Sequence, residues 1–147
     1  MSVRRAVLDD LPYLVEFTAE EAREAENSIK IPATLTKGIK KALEDDSVAM
    51  YWILSDENGH PIGSVSALKE WSDWNAGYYW WIQSMYLVPN QRGKGKMVML
   101  LDAVKTAMAQ EQGLQLRLYV HEDNKAAIKA YDKAKFVHSK YKIMTQD

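Results

Sequence analysis

Apolar positions recur along this chain at two different periods, and the switches between them mark out its elements. Residues 3–7 (VRRAV) predict a short first strand. Across LDDLPYLVEFTAEEAREAEN, Leu11, Leu14, Val15 and Phe17 fall on one broad side at helical spacing. Asp9 or Asp10 stands where a carboxylate can accept the orphan N–H groups of the first turn. The later part of this helix is acidic, with Glu16, Glu20, Glu21, Glu24 and Glu26. Residues 34–45 predict a second, shorter helix, weakened by Gly38.

Period two then takes over. VAMYWILSD alternates poorly but is rich in strand formers, and PIGSVSALKEW reads as its return strand. Between them Asn58-Gly59 predicts a type I′ hairpin turn, whose two central residues both need positive φ. A polar connection, SDWNAG, leads into the long strand YYWWIQSMYLV. Helical spacing returns over residues 96–112, with Met97, Leu100, Leu101, Val104 and Met108, and Gly113 is placed to terminate that helix. LQLRLYV alternates strictly, with Leu114, Leu116, Leu118 and Val120 on one side. DNKAAIKAYDKAKF predicts a short helix starting at Asp123 or Asn124, and VHSKYKIMTQ closes the chain as one strand or two. Helices alternate with strands only in the second half, and a hairpin sits in the first. That order predicts a mixed sheet with helices on both faces, in one domain without repeats or linkers.

Composition narrows the function classes. A net charge of -1 supplies no global field toward nucleic acid or membrane, so any basic patch must be local. The absence of cysteine excludes disulfides, thiolate metal sites and cysteine nucleophiles. Three dispersed histidines, His60, His121 and His138, give no metal-ligand pattern, and no metal is expected. MSVRRAVLDD lacks the apolar stretch of a signal peptide, no apolar run is long enough to span a membrane, and a cytoplasmic protein is expected.

One segment asks for chemistry. In VPNQRGKGKMVMLL a proline-led turn runs into alternating glycine and lysine just ahead of an apolar helix. Such a stretch reads as a solvated basic loop, a nucleic-acid patch, or a cradle for a phosphate-bearing ligand. A strand-to-helix loop presents unpaired N–H groups at the positive end of the helix dipole, and glycine lets an anion approach without a Cβ in the way. Gly93 and Gly95 supply the backbone freedom, with Arg92, Lys94 and Lys96 as surrounding charge. The phosphate-loop pattern of nucleotide hydrolases fails, since no Ser or Thr follows Lys96. The dinucleotide pattern fails too, because the glycines follow a hairpin rather than open a βαβ unit.

The surroundings of that loop carry a resemblance. Strand SMYLVPNQ, loop RGKG, an apolar helix, the alternating strand LRLYV, and then Asn124, Ala127, Tyr131 and Phe136 in the pattern N-x-x-A-x-x-x-Y-x-x-x-x-F together resemble the GCN5-related N-acetyltransferases (GNAT) over essentially the whole chain. Two residues depart from the family pattern: Met97, where Gly or Ala is usual, and Lys135, where glycine usually precedes the phenylalanine. The resemblance implies a three-layer α-β-α fold across residues 1–147, with a mixed central sheet of six to seven strands flanked by about four helices.

It also implies a function: transfer of an acetyl group from acetyl-CoA to a primary amine by direct attack. Arg92, Gly93, Lys94, Gly95, Lys96 and Met97 are then the pyrophosphate loop, and the main chain of Met85, Tyr86 and Leu87 meets the pantetheine arm. Asn124 and Tyr131 are seven residues apart, on nearly one helix face about 10 Å apart along the axis. Asn124 implies a cofactor contact as well as a cap, and Tyr131 the general acid for the departing thiolate. No glutamate lies in YYWWIQSMYLV, so Glu70, at the end of the previous strand, is the nearest carboxylate for the base, beside a water chain to backbone carbonyls. The expected acceptor is a small-molecule amine, attracted by the acidic end of the first helix or by aromatic faces among Trp71, Trp74, Tyr78, Tyr79, Trp80 and Trp81; most of these aromatics are expected in the core. A non-catalytic acyl-CoA sensor and a protein N-terminal or lysine acetyltransferase are the alternatives. Nucleic-acid and membrane partners are not expected, and a homodimer stays open.

Overall fold

A computed structural model describes residues 1–147. The chain runs β1 (Ser2–Arg5), a 3₁₀ turn (Leu8–Asp10), α1 (Leu11–Glu26), α2 (Pro32–Glu44), β2 (Met50–Ser55), β3 (Pro61–Ser72), β4 (Gly77–Leu87), a second 3₁₀ turn (Pro89–Gln91), α3 (Lys96–Gln110), β5 (Gln115–Leu118) and α4 (Lys125–Lys133). The strands form one sheet in the order β1-β2-β3-β4-β5. All neighbours are antiparallel except β4 and β5, which are parallel and joined through α3. No helix is long and apolar enough to cross a membrane.

Both faces of the sheet are covered, which explains why VAMYWILSD alternates so poorly. Every residue of β2 is buried. Met50, Trp52 and Leu54 point to one side and join Val65, Trp80, Leu100, Leu101 and Val104 beneath α3. Ala49, Tyr51 and Ile53 point to the other side and meet Leu14 of α1 and Ile39 and Ala42 of α2. A strand sandwiched in this way carries apolar residues at consecutive positions. Each large side chain so buried contributes about 1.5–3 kcal/mol.

The sheet has five strands, not the six to seven expected. Residues 137–147 form no strand and make no backbone hydrogen bond to the rest of the chain. The alternation of VHSKYKIMTQ suits a strand, but a strand needs a ladder as well as a pattern, and β5 ends the sheet without a partner on its outer side.

Two turns also differ from expectation. Only Gly59 of Asn58-Gly59 has positive φ, at 80°, so the turn is not type I′. Asp56 organises it instead: its Oδ1 accepts the N–H groups of Asn58 and His60, each at 2.9 Å, while its carbonyl accepts that of Gly59. This is a type I turn closed by a glycine bulge. At the end of α3, Gln112 rather than Gly113 takes the left-handed conformation, with φ 55°. Gly113 serves close approach: a Cβ there would overlap Met108 and sit 2.9 Å from Trp80 Nε1.

Near the N-terminus Asp10 precedes α1 but does not cap it through its side chain. Its carboxylate is held by both guanidinium nitrogens of Arg4, at 2.7 and 2.9 Å, and by the Val7 N–H at 2.8 Å. The Arg4 hydrogen bonds keep its pKa below the usual carboxylate range against the effect of burial.

Candidate active site

The site begins with one extra residue in β4. Ser84 lies opposite Ser66 and Ile82 opposite Ala67, so Gln83 has no partner on β3 and forms a bulge. Parallel pairing with β5 covers Tyr79 to Ile82 and stops there. Beyond the bulge β4 keeps β3 on one side, and its other edge faces open space. The parted strands, with α1, α4 and the connection after α1, enclose a cleft of about 870 Å³.

Met85 and Tyr86 line this cleft together with Leu87, Arg92, Met97, Asn124 and Tyr131. The free edge of β4 is nevertheless partnered by side chains. The Met85 N–H donates to Glu21 Oε2 at 2.6 Å, and the Leu87 carbonyl accepts from Arg92 Nε at 2.9 Å. Tyr86 turns its ring toward α1, stacked on Phe17 with centroids 5.4 Å apart.

The loop after β4 takes the backbone shape that its glycines suggest. Gly93 and Gly95 both have φ 76°, on either side of Lys94, and Gly95 leads directly into α3. Neither glycine has a neighbour that a Cβ would strike, so φ alone calls for glycine here. Arg92 is committed to the protein: besides Leu87 it reaches Glu24 of α1 at 2.8 Å and lies 5.2 Å from the centroid of Tyr86. Lys96 donates to the side chain of Gln91. Gly93, Lys94, Gly95 and Lys96 are not on the cleft wall; they follow Arg92 at its rim and precede Met97, which is on the wall. Met97 both lines the cleft and packs on the core beneath α3, so the larger residue in place of a small one trades cleft space for packing.

Across the cleft, Asn124 caps α4, its Oδ1 accepting the Ala127 N–H at 3.2 Å. Tyr131 packs edge-on against Phe136, ring centroids 5.6 Å apart. Burial pushes its phenol up to about 12, with the Glu21 carboxylate adding to the rise. Lys135, two residues after α4, has φ 72°, which shows why glycine is usual at that position.

The expected base is not at the site. Glu70 is exposed on β3, where it accepts a hydrogen bond from Trp81 Nε1 at 3.4 Å, and it does not line the cleft. The strand-end position that made it a candidate projects it to solvent on the paired part of the sheet. The cleft holds another carboxylate, Glu21 of α1. It projects from α1 into the cleft and touches β4 beside Ser84. Burial drives its carboxyl up to about 7, partly offset by the hydrogen bonds from Met85 and Ser84, with Glu26 and Glu24 adding to the rise. A signal for it existed in the sequence. Leu14, Phe17 and Glu21 fall at i, i+3 and i+7, which puts Glu21 on the buried side of α1, with Glu24 three residues further along the same side.

Two of the other acids of α1 are neutralised by pairing, whereas Glu16 and Glu26 have no ion-pair partner and Glu26 lines the cleft. Glu20 pairs with Arg23 at 2.6 Å, and Glu24 with Arg92. The aromatic block is elsewhere. Trp80 alone among its six members is in the core; Trp74 is 87% exposed, and Trp71 packs on Tyr78 at 5.1 Å. None of the six lines the cleft.

A mixed sheet whose parallel pair parts at a bulge, with a left-handed glycine loop leading into a helix at the mouth, defines an acyl-CoA-type transferase fold. A model of the acetyltransferase (GNAT) family matches residues 11–136, and the chain belongs to that family of acyltransferases. No curated protein matches. Among solved structures, a possible acetyltransferase from Clostridium difficile 630 superimposes with a TM-score of 0.92 at 28% identity, over 99% of this chain and 96% of that one. A predicted acetyltransferase with acetyl-CoA from Clostridium acetobutylicum gives 0.81 at 20% identity, over 99% and 95% of the two chains. The ribosomal-protein-alanine N-acetyltransferase of Brucella melitensis biovar Abortus 2308 gives 0.80 at 15% identity, over 100% and 99%. The last two share the fold.

Proposed function

We propose that the chain moves the acetyl group of acetyl-CoA onto a primary amine of a small molecule. The parting of β4 from β5 beyond the Gln83 bulge carries this reading, because it leaves a strand edge beside an enclosed cleft. An extended acyl-carrying arm is a natural partner for such an edge. When bound, acetyl-CoA supplies the thioester carbon that the amine attacks.

The protein's own groups suit that role. The loop from Arg92 to Met97 offers backbone N–H groups at the N-terminus of α3, where phosphate oxygens are stabilised. Arg92 holds the loop to α1 through Glu24 rather than reaching outward. Tyr131 keeps its proton throughout the physiological range and can hand it to a departing sulfur. Its rise to about 12 makes that transfer uphill relative to an ordinary phenol, so the thiolate must itself be poorly solvated when it leaves. Lys30 and Leu35, from the connection after α1 and from α2, line the acceptor side, which favours a small acceptor over a protein surface.

Thermal melts with and without millimolar acetyl-CoA test the first half of the proposal. Stabilisation is expected, and its absence removes the acyl-donor assignment. A panel of primary amines tests the second, with Tyr131→Phe expected to lower kcat by about 10²–10³-fold while acetyl-CoA still binds. Tight binding without turnover on any amine supports a sensor instead.

A further inference from the structure

Within that acetyl-transfer reading, one cleft group has no assigned role. Glu21 sits inside the cleft with no Lys or Arg within ion-pair distance, whereas Glu24 beside it is neutralised by Arg92. A largely desolvated carboxylate without a cation is costly; the hydrogen bonds from Met85 and Ser84 offset part of that cost, and protonation or an incoming positive charge relieves the rest. Its oxygens are placed at the one point where β4 leaves β5, on the first outward N–H after the bulge, and opposite Tyr131.

We propose that Glu21 is the acceptor-amine site: it receives the substrate's ammonium as its missing counter-charge and then takes one proton from it. The freed nitrogen lone pair forms the C–N bond to the acetyl carbon as the C–S bond breaks. Tyr131 gives its proton to the departing sulfur and regains one from the new amide nitrogen. Glu21 returns its proton to solvent, so the cycle balances as ammonium plus thioester giving amide, thiol and one proton. Glu24 is already paired with Arg92, while Glu26, also on the cleft wall and without an ion-pair partner, adds negative charge beside Glu21. The substrate class that fits is a cationic primary amine.

The groups that face Glu21 bear on its titration. They are Glu24 and Glu26 on α1, Tyr51 on β2, Tyr131 on α4, and Arg92 through Glu24. Lys30 and His121 line the same cleft. A rise of its pKa to about 7 lets Glu21 take a proton from an ammonium and release it again near neutrality.

The test is kcat/KM for total amine against pH, in the unsubstituted chain, Glu21→Gln, Glu21→Asp and His121→Gln. With Glu21 as acceptor the active pair is carboxylate plus ammonium. The profile then rises to about pH 7 and is flat up to the amine's own pKa, about 10. Glu21→Gln can still accept the Met85 N–H through its amide oxygen, so a purely structural role survives the substitution. The expected result is a loss of about 10²–10³-fold at pH 7.5, acetyl-CoA affinity within about 3-fold, and a profile that climbs log-linearly past pH 9. Glu21→Asp recovers part of the loss, and His121→Gln keeps the plateau. A plateau retained in Glu21→Gln, or activity within about 3-fold, overturns the assignment while leaving the acetyltransferase reading intact. If Glu21→Gln does not fold, a profile of the unsubstituted chain that climbs past pH 8 without a plateau overturns it equally. Failure of the unsubstituted chain to bind acetyl-CoA overturns the acetyltransferase reading, and this assignment with it.

Discussion

The carboxylate of Glu21 accepts the backbone N–H of Met85 at 2.6 Å, joining α1 to β4 two residues past the bulge at Gln83. This contact has a signature in stability. The folded pKa of Glu21, about 7, lies above the model-peptide value of 4.5, so the folded state binds the proton more tightly than the unfolded state. The stabilisation is present in full below pH 4.5 and is lost as pH rises through 7. The whole effect is about 3 kcal/mol. Urea unfolding at pH 5 and pH 8 should show Glu21→Gln gaining on the unsubstituted chain by about 2–3 kcal/mol at the higher pH. Equal differences at both pH values would contradict the burial of this carboxylate.

The left-handed loop should be sensitive to any side chain at Gly95. Gly95→Ala must either hold a strained φ of 76° or move the start of α3. We expect a stability loss of about 1–2 kcal/mol. We also expect acetyl-CoA affinity, by calorimetry, to weaken about 5–10-fold, because the N–H groups of the loop lose their common aim. Unchanged affinity would place the phosphates elsewhere.

Lys135 predicts the opposite sign. It occupies φ 72° directly before Phe136, whose ring supports Tyr131. Lys135→Gly should relieve about 1 kcal/mol of backbone strain and raise Tm by about 2–4 °C. Destabilisation would mean that the lysine side chain contributes more than its backbone costs.

Gly113 is constrained by its neighbours rather than its dihedrals. Gly113→Ala sets a Cβ against Met108 and 2.9 Å from the indole of Trp80, which is fully buried and whose Nε1 has no hydrogen-bond partner. Chemical denaturation should record a loss of about 1–3 kcal/mol, the usual cost of overpacking a closed core. A neutral result would show that Met108 moves aside freely.

Local signals determined much of this protein. Helical spacing located α1, α3 and α4, alternation located β5, and the run RGKG before an apolar stretch located the loop, because each pattern is a consequence of backbone geometry within a few residues. Asn124 and Tyr131 were placed together by the pitch of a single helix, and the structure puts both on the cleft. Only tertiary packing decided the rest. The strand count depends on whether VHSKYKIMTQ finds a ladder beside β5, and it does not. Helical spacing sets Glu21 toward the apolar side of α1, but nothing local says which of Glu70 and Glu21 reaches the cleft. One ends in solvent beside Trp81 and the other against the Met85 amide, because the bulge at Gln83 opens the sheet on the side that α1 covers. A carboxylate acquires chemistry when its neighbours strip away water and deny it a cation, and those neighbours come from β4, β2 and α4, far away along the chain.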